Sequence, residues 1–221
     1  MAILVMVYGQ SGTGKSASLR NFNENDVFII NVSGKPMPFK KKLKMNHTDR
    51  YSDVREGLNN IKTPSIVIDD ATYLMVNEFM RNAKLTGYQK FTDIAYNFND
   101  LVESAANLPD DRIVYFLGHA EQTDDGREHF KTIGKMLDNY VTLEGKFVIV
   151  LKTVVNDGQY MFSTQNSGTD TVKSPMGLFP AQLIPNDLKA VDDAIRAYYG
   201  IQKEEREGNN SGRTEDQNSQ H

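Results

Sequence analysis

The sequence predicts an α/β fold, with a mostly parallel central sheet flanked by helices and an antiparallel hairpin near the C-terminus. Short, nearly all-apolar runs alternate with stretches of helical periodicity, as expected for strands buried on both faces of a parallel sheet. A glycine-rich segment follows the first apolar run directly. Near the end of the chain, an Asp-Gly pair separates two β-rich runs, which is a strong hairpin signal.

Six runs predict the strands of this sheet. They are residues 2–8, 27–32, 65–68, 112–117, 146–155 and 159–163. The last two are joined by Asn156-Asp157-Gly158 and form the predicted hairpin.

Helical periodicity fills the intervals between the strands. It predicts helices over 16–22, over 51–61, over most of 71–108 with a break at Thr86-Gly87, and from Asn186 or Asp187 to Tyr199. Asn186 or Asp187 can cap the last helix, and Gly200 ends it.

Composition limits the possible functions. The chain has 221 residues, a net charge of −4 and no cysteine, which excludes disulfides, thiolate metal sites and a cysteine nucleophile. We predict one domain over 1–202. Residues 203–221 contain no aliphatic or aromatic side chain and are predicted to be a disordered tail. With neither a signal peptide nor a long apolar run, the protein is expected to be cytoplasmic, without membrane contact.

A phosphate-binding motif follows the first strand. The segment reads Gly9-Gln10-Ser11-Gly12-Thr13-Gly14-Lys15-Ser16 and matches G-x-x-x-x-G-K-[ST] at every fixed position. Its glycines let successive N–H groups face phosphate oxygens. Lys15 supplies a positive charge to the terminal phosphates, and Ser16 supplies a hydroxyl to Mg²⁺. Residues 9 to Ala17 are therefore the predicted nucleotide-binding residues, with ATP as nucleotide and Mg²⁺ as cofactor.

Two consecutive acids end the third strand. In Ile66-Val67-Ile68-Asp69-Asp70 an apolar strand leads into a carboxylate, which is the Walker B pattern. Asp69 is predicted to hold Mg²⁺ together with Ser16. Asp70 is a candidate base for the attacking water, although two solvated acids before a helix would give the same pattern.

A third candidate lies after the fourth strand. His119 follows Gly118 and is placed to sense the γ-phosphate, and Glu121 competes with Asp70 for the role of base. An ordinary surface histidine would fit the pattern nearly as well as a sensor.

Lysines cluster in three places. They are Lys35, Lys40, Lys41, Lys42 and Lys44 after the second strand, then Lys131 and Lys135, then Lys173 after the hairpin. Lysines interleaved with aromatic residues can bind single-stranded nucleic acid. A solvated surface is slightly favoured for 40–44, whereas function is favoured for Lys135 and Lys173, which lie in loops rich in Gly, Ser and Thr.

This layout resembles the RecA-like P-loop NTPases, and more closely the phage-encoded nucleotide-binding proteins of AAA/RecA type, some of which anneal or recombine single strands. The resemblance covers about residues 1–200. It depends on the P-loop, on Asp69-Asp70 and on Gly118-His119-Ala120-Glu121, together with Thr164-Gln165, Lys173-Ser174-Pro175 and Asn186-Asp187-Leu188. It implies a central P-loop strand and a ring or filament of identical subunits.

The resemblance also implies a partner, a compartment and a role for Lys173. The partner is single-stranded DNA, together with a single-strand-binding or replication protein, and the compartment is the host cytoplasm. Lys173 would reach a neighbouring subunit's γ-phosphate.

One departure keeps alternatives open. RecA-type proteins usually carry a catalytic glutamate after the second strand, whereas this chain reads Asn31-Val32-Ser33-Gly34-Lys35. An ATPase acting on single-stranded DNA is the first hypothesis, and a nucleotide-dependent assembly or loader factor is the second. A nucleotide kinase is third, because few arginines are available for a lid.

Overall fold

The structure is a computed structural model and describes residues 1–134, 137 and 141–201. Nine strands in this part of the chain form the sheet: β1 (Ile3–Gly9), β2 (Val27–Asn31), β3 (Lys44–His47), β4 (Ser65–Asp69), β5 (Ile113–Gln122), β6 (Glu128–Phe130), β7 (Ile149–Asn156), β8 (Gln159–Ser163) and β9 (Leu183–Pro185). The α-helices are α1 (Tyr51–Asn60), α2 (Thr72–Arg81), α3 (Gln89–Ala106) and α4 (Leu188–Tyr199). Within the described ranges, two short 3₁₀ helices cover Ser16–Asn21 and Leu143–Lys146.

The strand order is β3-β2-β4-β5-β1-β7-β8-β9, with β6 paired to β5 outside this path. Along the path β3-β2-β4-β5-β1-β7 every pairing is parallel. Strands β8 and β9 extend the sheet beyond β7 by antiparallel pairing. The α/β class, the mostly parallel sheet and the C-terminal hairpin predicted from sequence are thus confirmed.

Residues of β1 alternate between two cores. Leu4, Met6 and Tyr8 face one core, which also contains buried side chains of α1, α2 and α3. Val5 and Val7 face the other, which contains side chains of the first 3₁₀ helix and of α4. Helices therefore cover both faces of the sheet, as the all-apolar sequence of this strand requires.

Turn and cap residues act as their types predict. Asp157 and Gly158 have φ of 49° and 76°, both positive, as the two-residue turn between β7 and β8 demands. The Asp187 side chain accepts hydrogen bonds from the N–H groups of Lys189 and Ala190 and caps α4. Gly200 ends that helix with φ of 65°.

Several boundaries differ from the sequence prediction. The helix predicted over 16–22 is a six-residue 3₁₀ helix, so its dipole adds little to anion binding. The fourth predicted strand continues to Gln122 because β6 pairs with its extension, so His119 lies within β5 and not beyond its end. Strand β7 begins at Ile149, after the second 3₁₀ helix. The short strands β3, β6 and β9 were not predicted.

No helix within the described ranges is both long and apolar enough to cross a bilayer. The predicted tail, residues 203–221, lies outside the described residues.

Candidate functional site

The site lies where the parallel strands end. Register places Gly9 of β1 beside His119 of β5, and Asn31 of β2 beside Asp69 of β4. Because β5 lies between β1 and β4, the residues that follow these three strands share one edge of the sheet.

A cavity of about 380 Å³ opens at this edge. Most of the predicted site residues line it: Ser11, Gly12, Gly14, Lys15, Ser16, Ala17, Asp69, Asp70 and His119. The remaining walls are formed by Ser33, Lys35, Pro36, Met37, Pro38 and Tyr160. The structure therefore brings together the P-loop, the pair Asp69-Asp70 and His119, which are far apart in the sequence.

The glycine-rich loop needs its glycines. Gly12 and Gly14 have φ of 81° and 93°, in the left-handed region that other residues rarely adopt. Gly9 packs directly against Thr153 of β7, and a methyl group added there would lie 1.9 Å from the Thr153 Oγ1. Thr13 is joined to the same hydroxyl by a 2.6 Å hydrogen bond, so β7 holds the loop from behind.

Lys15 is folded against this loop. Its Nζ donates 2.9 Å hydrogen bonds to the carbonyl oxygens of Gly9 and Gln10. The side chain is buried, and burial lowers the pKa of its ammonium, an effect that Asp70 and Asp69 oppose and Lys35 reinforces. A cation held in a water-poor cavity is well suited to anion binding.

Ser16 and Asp69 form the second part of the site. The Ser16 Oγ donates a 2.9 Å hydrogen bond to the Asp69 Oδ1. Burial, with a smaller effect of Asp70, raises the pKa of Asp69 to about 6. A half-buried hydroxyl beside a buried carboxylate offers the hard oxygen donors that Mg²⁺ prefers. The two residues therefore fit a metal ion.

Asp70 has a strained backbone. Its φ of 62° is uncommon for a residue other than glycine, and such strain clusters at functional sites. The Asp70 Oδ1 lies 3.6 Å from the His119 Nε2, an ion-pair distance when the imidazole is protonated. Burial lowers the pKa of His119, and the nearby Lys15 lowers it further, so the neutral imidazole is favoured.

His119 is positioned from two sides. Its backbone N–H donates to the Thr72 Oγ1 at 3.0 Å, and the ring of Tyr73 meets the imidazole edge-on at 5.5 Å between centroids. The His119 Nε2 is buried and has no hydrogen-bond partner among the described residues. Because His119 also lines the cavity, this nitrogen is a candidate contact for a ligand.

Two of the predicted catalytic residues lie outside this cavity. Glu121 pairs with His129 across β5 and β6 and lines a separate cavity. Lys173 is exposed, and its backbone pairs with Val150 of β7. Lys135 lies outside the described residues.

Sequence reasoning missed the segment 33–38 and Tyr160 as walls of the cavity. The sequence shows a lysine cluster after β2, but no pattern in it indicates that Lys35 lines the same cavity as the P-loop. Tyr160 carried no signal beyond its place in the hairpin.

No protein-family model matches this chain, and no curated protein matches its sequence.

Proposed function

We propose that the protein binds ATP with Mg²⁺ on a RecA-like P-loop scaffold and hydrolyses it, acting on single-stranded DNA. One observation carries the hydrolysis: Lys15, the pair Ser16–Asp69, and the pair Asp70–His119 line the same cavity. The position of β1 between β5 and β7 agrees with the central P-loop strand that the resemblance implies.

The triphosphate would occupy the glycine-rich loop. Backbone N–H groups around Gly12 and Gly14 would bind its oxygens, and the Lys15 ammonium would neutralise its terminal phosphates. Ser16 and Asp69 would hold Mg²⁺, which when bound withdraws charge from the phosphate oxygens. ATP is favoured over GTP because the sequence lacks the Asn-Lys-x-Asp type of guanine reader.

Hydrolysis transfers the γ-phosphoryl group to water. The water oxygen forms a bond to the γ-phosphorus while the bond to the β–γ bridging oxygen breaks, and that electron pair leaves on ADP. Asp70 accepts the proton of the water, since it is the carboxylate in the cavity beside Asp69, which is assigned to the metal. His119 would donate or accept a hydrogen bond at the γ-phosphate.

The direct test is turnover by the purified wild-type chain. We expect Mg²⁺-dependent release of phosphate from ATP, faster with single-stranded DNA and less stimulated at high salt. Phosphate release that DNA leaves unchanged, with no DNA binding at low salt, would overturn the DNA part alone. A change in particle size with ATP and a protein partner, but not with DNA, would favour the assembly factor.

Asp70→Asn is expected to lower kcat by about 10²–10⁴-fold because the amide cannot take the proton. ATP affinity should remain within a few-fold, since the side-chain volume is preserved. Both are measured by phosphate release and by titration with a fluorescent ATP analogue.

Glu121→Gln serves as the matched control for Asp70→Asn and should leave kcat near the wild-type value. If Glu121→Gln loses activity and Asp70→Asn keeps it, the role of base moves to Glu121.

Lys173→Ala tests the proposed oligomer. We expect it to bind ATP normally but to lose hydrolysis in the assembled state, because its ammonium serves a neighbouring subunit. Mixing it with Asp70→Asn should restore part of the activity, since mixed assemblies contain some intact sites. An inactive mixture at every ratio contradicts the trans-acting role.

A further inference from the structure

The segment between β2 and β3 forms one wall of the nucleotide cavity. Five of its residues line that wall: Ser33, Lys35, Pro36, Met37 and Pro38. We call residues 33–38 the wall segment. It occupies the position at which the resemblance leads one to expect a catalytic carboxylate, and it carries a lysine there.

Hydrogen bonds to the side chain of Asn31 fix the turn that carries Lys35. The buried Asn31 accepts a 2.8 Å hydrogen bond from the N–H of Gly34 and donates one of 2.8 Å to the carbonyl oxygen of Lys35. Gly34 has φ of 68° and packs on the ring of His47, whose Nδ1 lies 2.8 Å from the carbonyl oxygen of Asn31. The backbone on which Lys35 stands is thus fixed by a buried side chain and a neighbouring strand.

The segment is also anchored on its far side. Met37, and Phe39 just beyond the segment, pack against the core that contains α4. With Asn31 on one side and these apolar contacts on the other, the segment has little freedom to carry Lys35 away from the cavity.

Lys35 lines the same cavity as the other charged groups. Its Nζ lies 5.3 Å from the centroid of the Tyr73 ring, which in turn contacts the imidazole of His119. The field of Lys35 lowers the pKa of both Lys15 and His119. Lys35 is itself exposed to water, so this influence reflects the closeness of its ammonium to both groups.

The balance of charge explains what a second cation would do. The positive charges of Lys15 and Lys35 balance the negative charges of Asp69 and Asp70, so the ligand-free cavity is near neutral. A bound triphosphate adds negative charge, and the γ-phosphoryl oxygens share it during transfer. A second cation on the cavity wall, in addition to Lys15, can stabilise that charge.

We propose that Lys35 contacts the γ-phosphoryl group of ATP bound to its own chain and stabilises its charge during transfer to water. This inference rests on the proposed function. Under this proposal, a single unassembled chain needs its own Lys35 for hydrolysis, in addition to any lysine that a neighbouring subunit supplies in the oligomer. The bond changes are those given above, and Lys35 stays protonated throughout.

The test compares Lys35→Met with Lys42→Met. Methionine keeps the apolar stem against Tyr73 and removes the charge, while Lys42 is an exposed lysine of the same region that does not line the cavity. We expect Lys35→Met to lower kcat by about 10²-fold and Lys42→Met to leave it unchanged. Lys35→Arg should recover part of the rate, because it restores the charge.

Affinities separate catalysis from binding. The affinity of Lys35→Met for ADP should stay within about threefold of wild type, and its KM should change far less than kcat. Equal rates for Lys35→Met and Lys42→Met would overturn the inference. So would a loss of ADP affinity as large as the loss of kcat.

Failure of the proposed function gives a different result. In that case the wild-type chain itself would neither bind nor hydrolyse ATP. A wild-type chain that hydrolyses ATP at the same rate as Lys35→Met leaves the proposed function intact and removes only the role of Lys35.

Discussion

Lys15→Met is expected to lower kcat/KM for ATP by about 10²-fold or more, since it removes a preorganised cation from the phosphate site. The loss is large because this ammonium is buried, where its interaction with phosphate is weakly screened. Phosphate release measures the change in turnover, and titration with a fluorescent ATP analogue measures the change in affinity.

The variant must be shown to fold. Removing the ammonium leaves the carbonyl oxygens of Gly9 and Gln10 without their hydrogen bonds from Nζ, so the loop itself can rearrange. A thermal unfolding curve close to that of wild type would assign the loss to the site. Lys42→Met is the control for a change of charge. Wild-type turnover in folded Lys15→Met would contradict the role given to the P-loop.

The sequence predicted those parts of the site that depend on local chemistry. Gly12 and Gly14 are required by backbone conformation, and the pair Asp69-Asp70 lies at the carboxyl end of a buried strand. Since the carboxyl ends of parallel strands meet at one edge, these segments could be placed together before the structure was known.

The remaining parts depend on strand order and on pairing over long distances. Strand β5 lies between β1 and β4, and this order brings His119 to the cavity. No local sequence pattern specifies the strand order. Pairing of β6 with the end of β5 directs Glu121 elsewhere. The three strands that were missed have three or four residues each, too few for a period to be recognised.

A buried polar network joins α4 to the sheet, beyond the nucleotide site. The Nε of Arg196 donates a 2.8 Å hydrogen bond to the Asp192 Oδ2, and a terminal nitrogen of the guanidinium donates to the Ser65 Oγ at 2.9 Å. The Asp192 Oδ1 accepts from the hydroxyl groups of Tyr115, at 2.9 Å, and Ser65. The guanidinium also donates to the carbonyl oxygens of Pro64 and Asp111. Both charged side chains are almost fully buried.

Asp192→Ala is therefore expected to reduce the free energy of unfolding by about 3–5 kcal/mol, because it leaves a buried guanidinium without its carboxylate. Denaturant unfolding monitored by circular dichroism measures the change. Asp193→Ala is the matched control: its carboxylate is on the same helix, is half exposed and pairs with Lys189, so its loss should cost under about 1 kcal/mol. Asp192→Leu combined with Arg196→Met should recover part of the stability, since no charge then remains buried. Equal losses for Asp192→Ala and Asp193→Ala would show that the network does not hold α4 on the sheet.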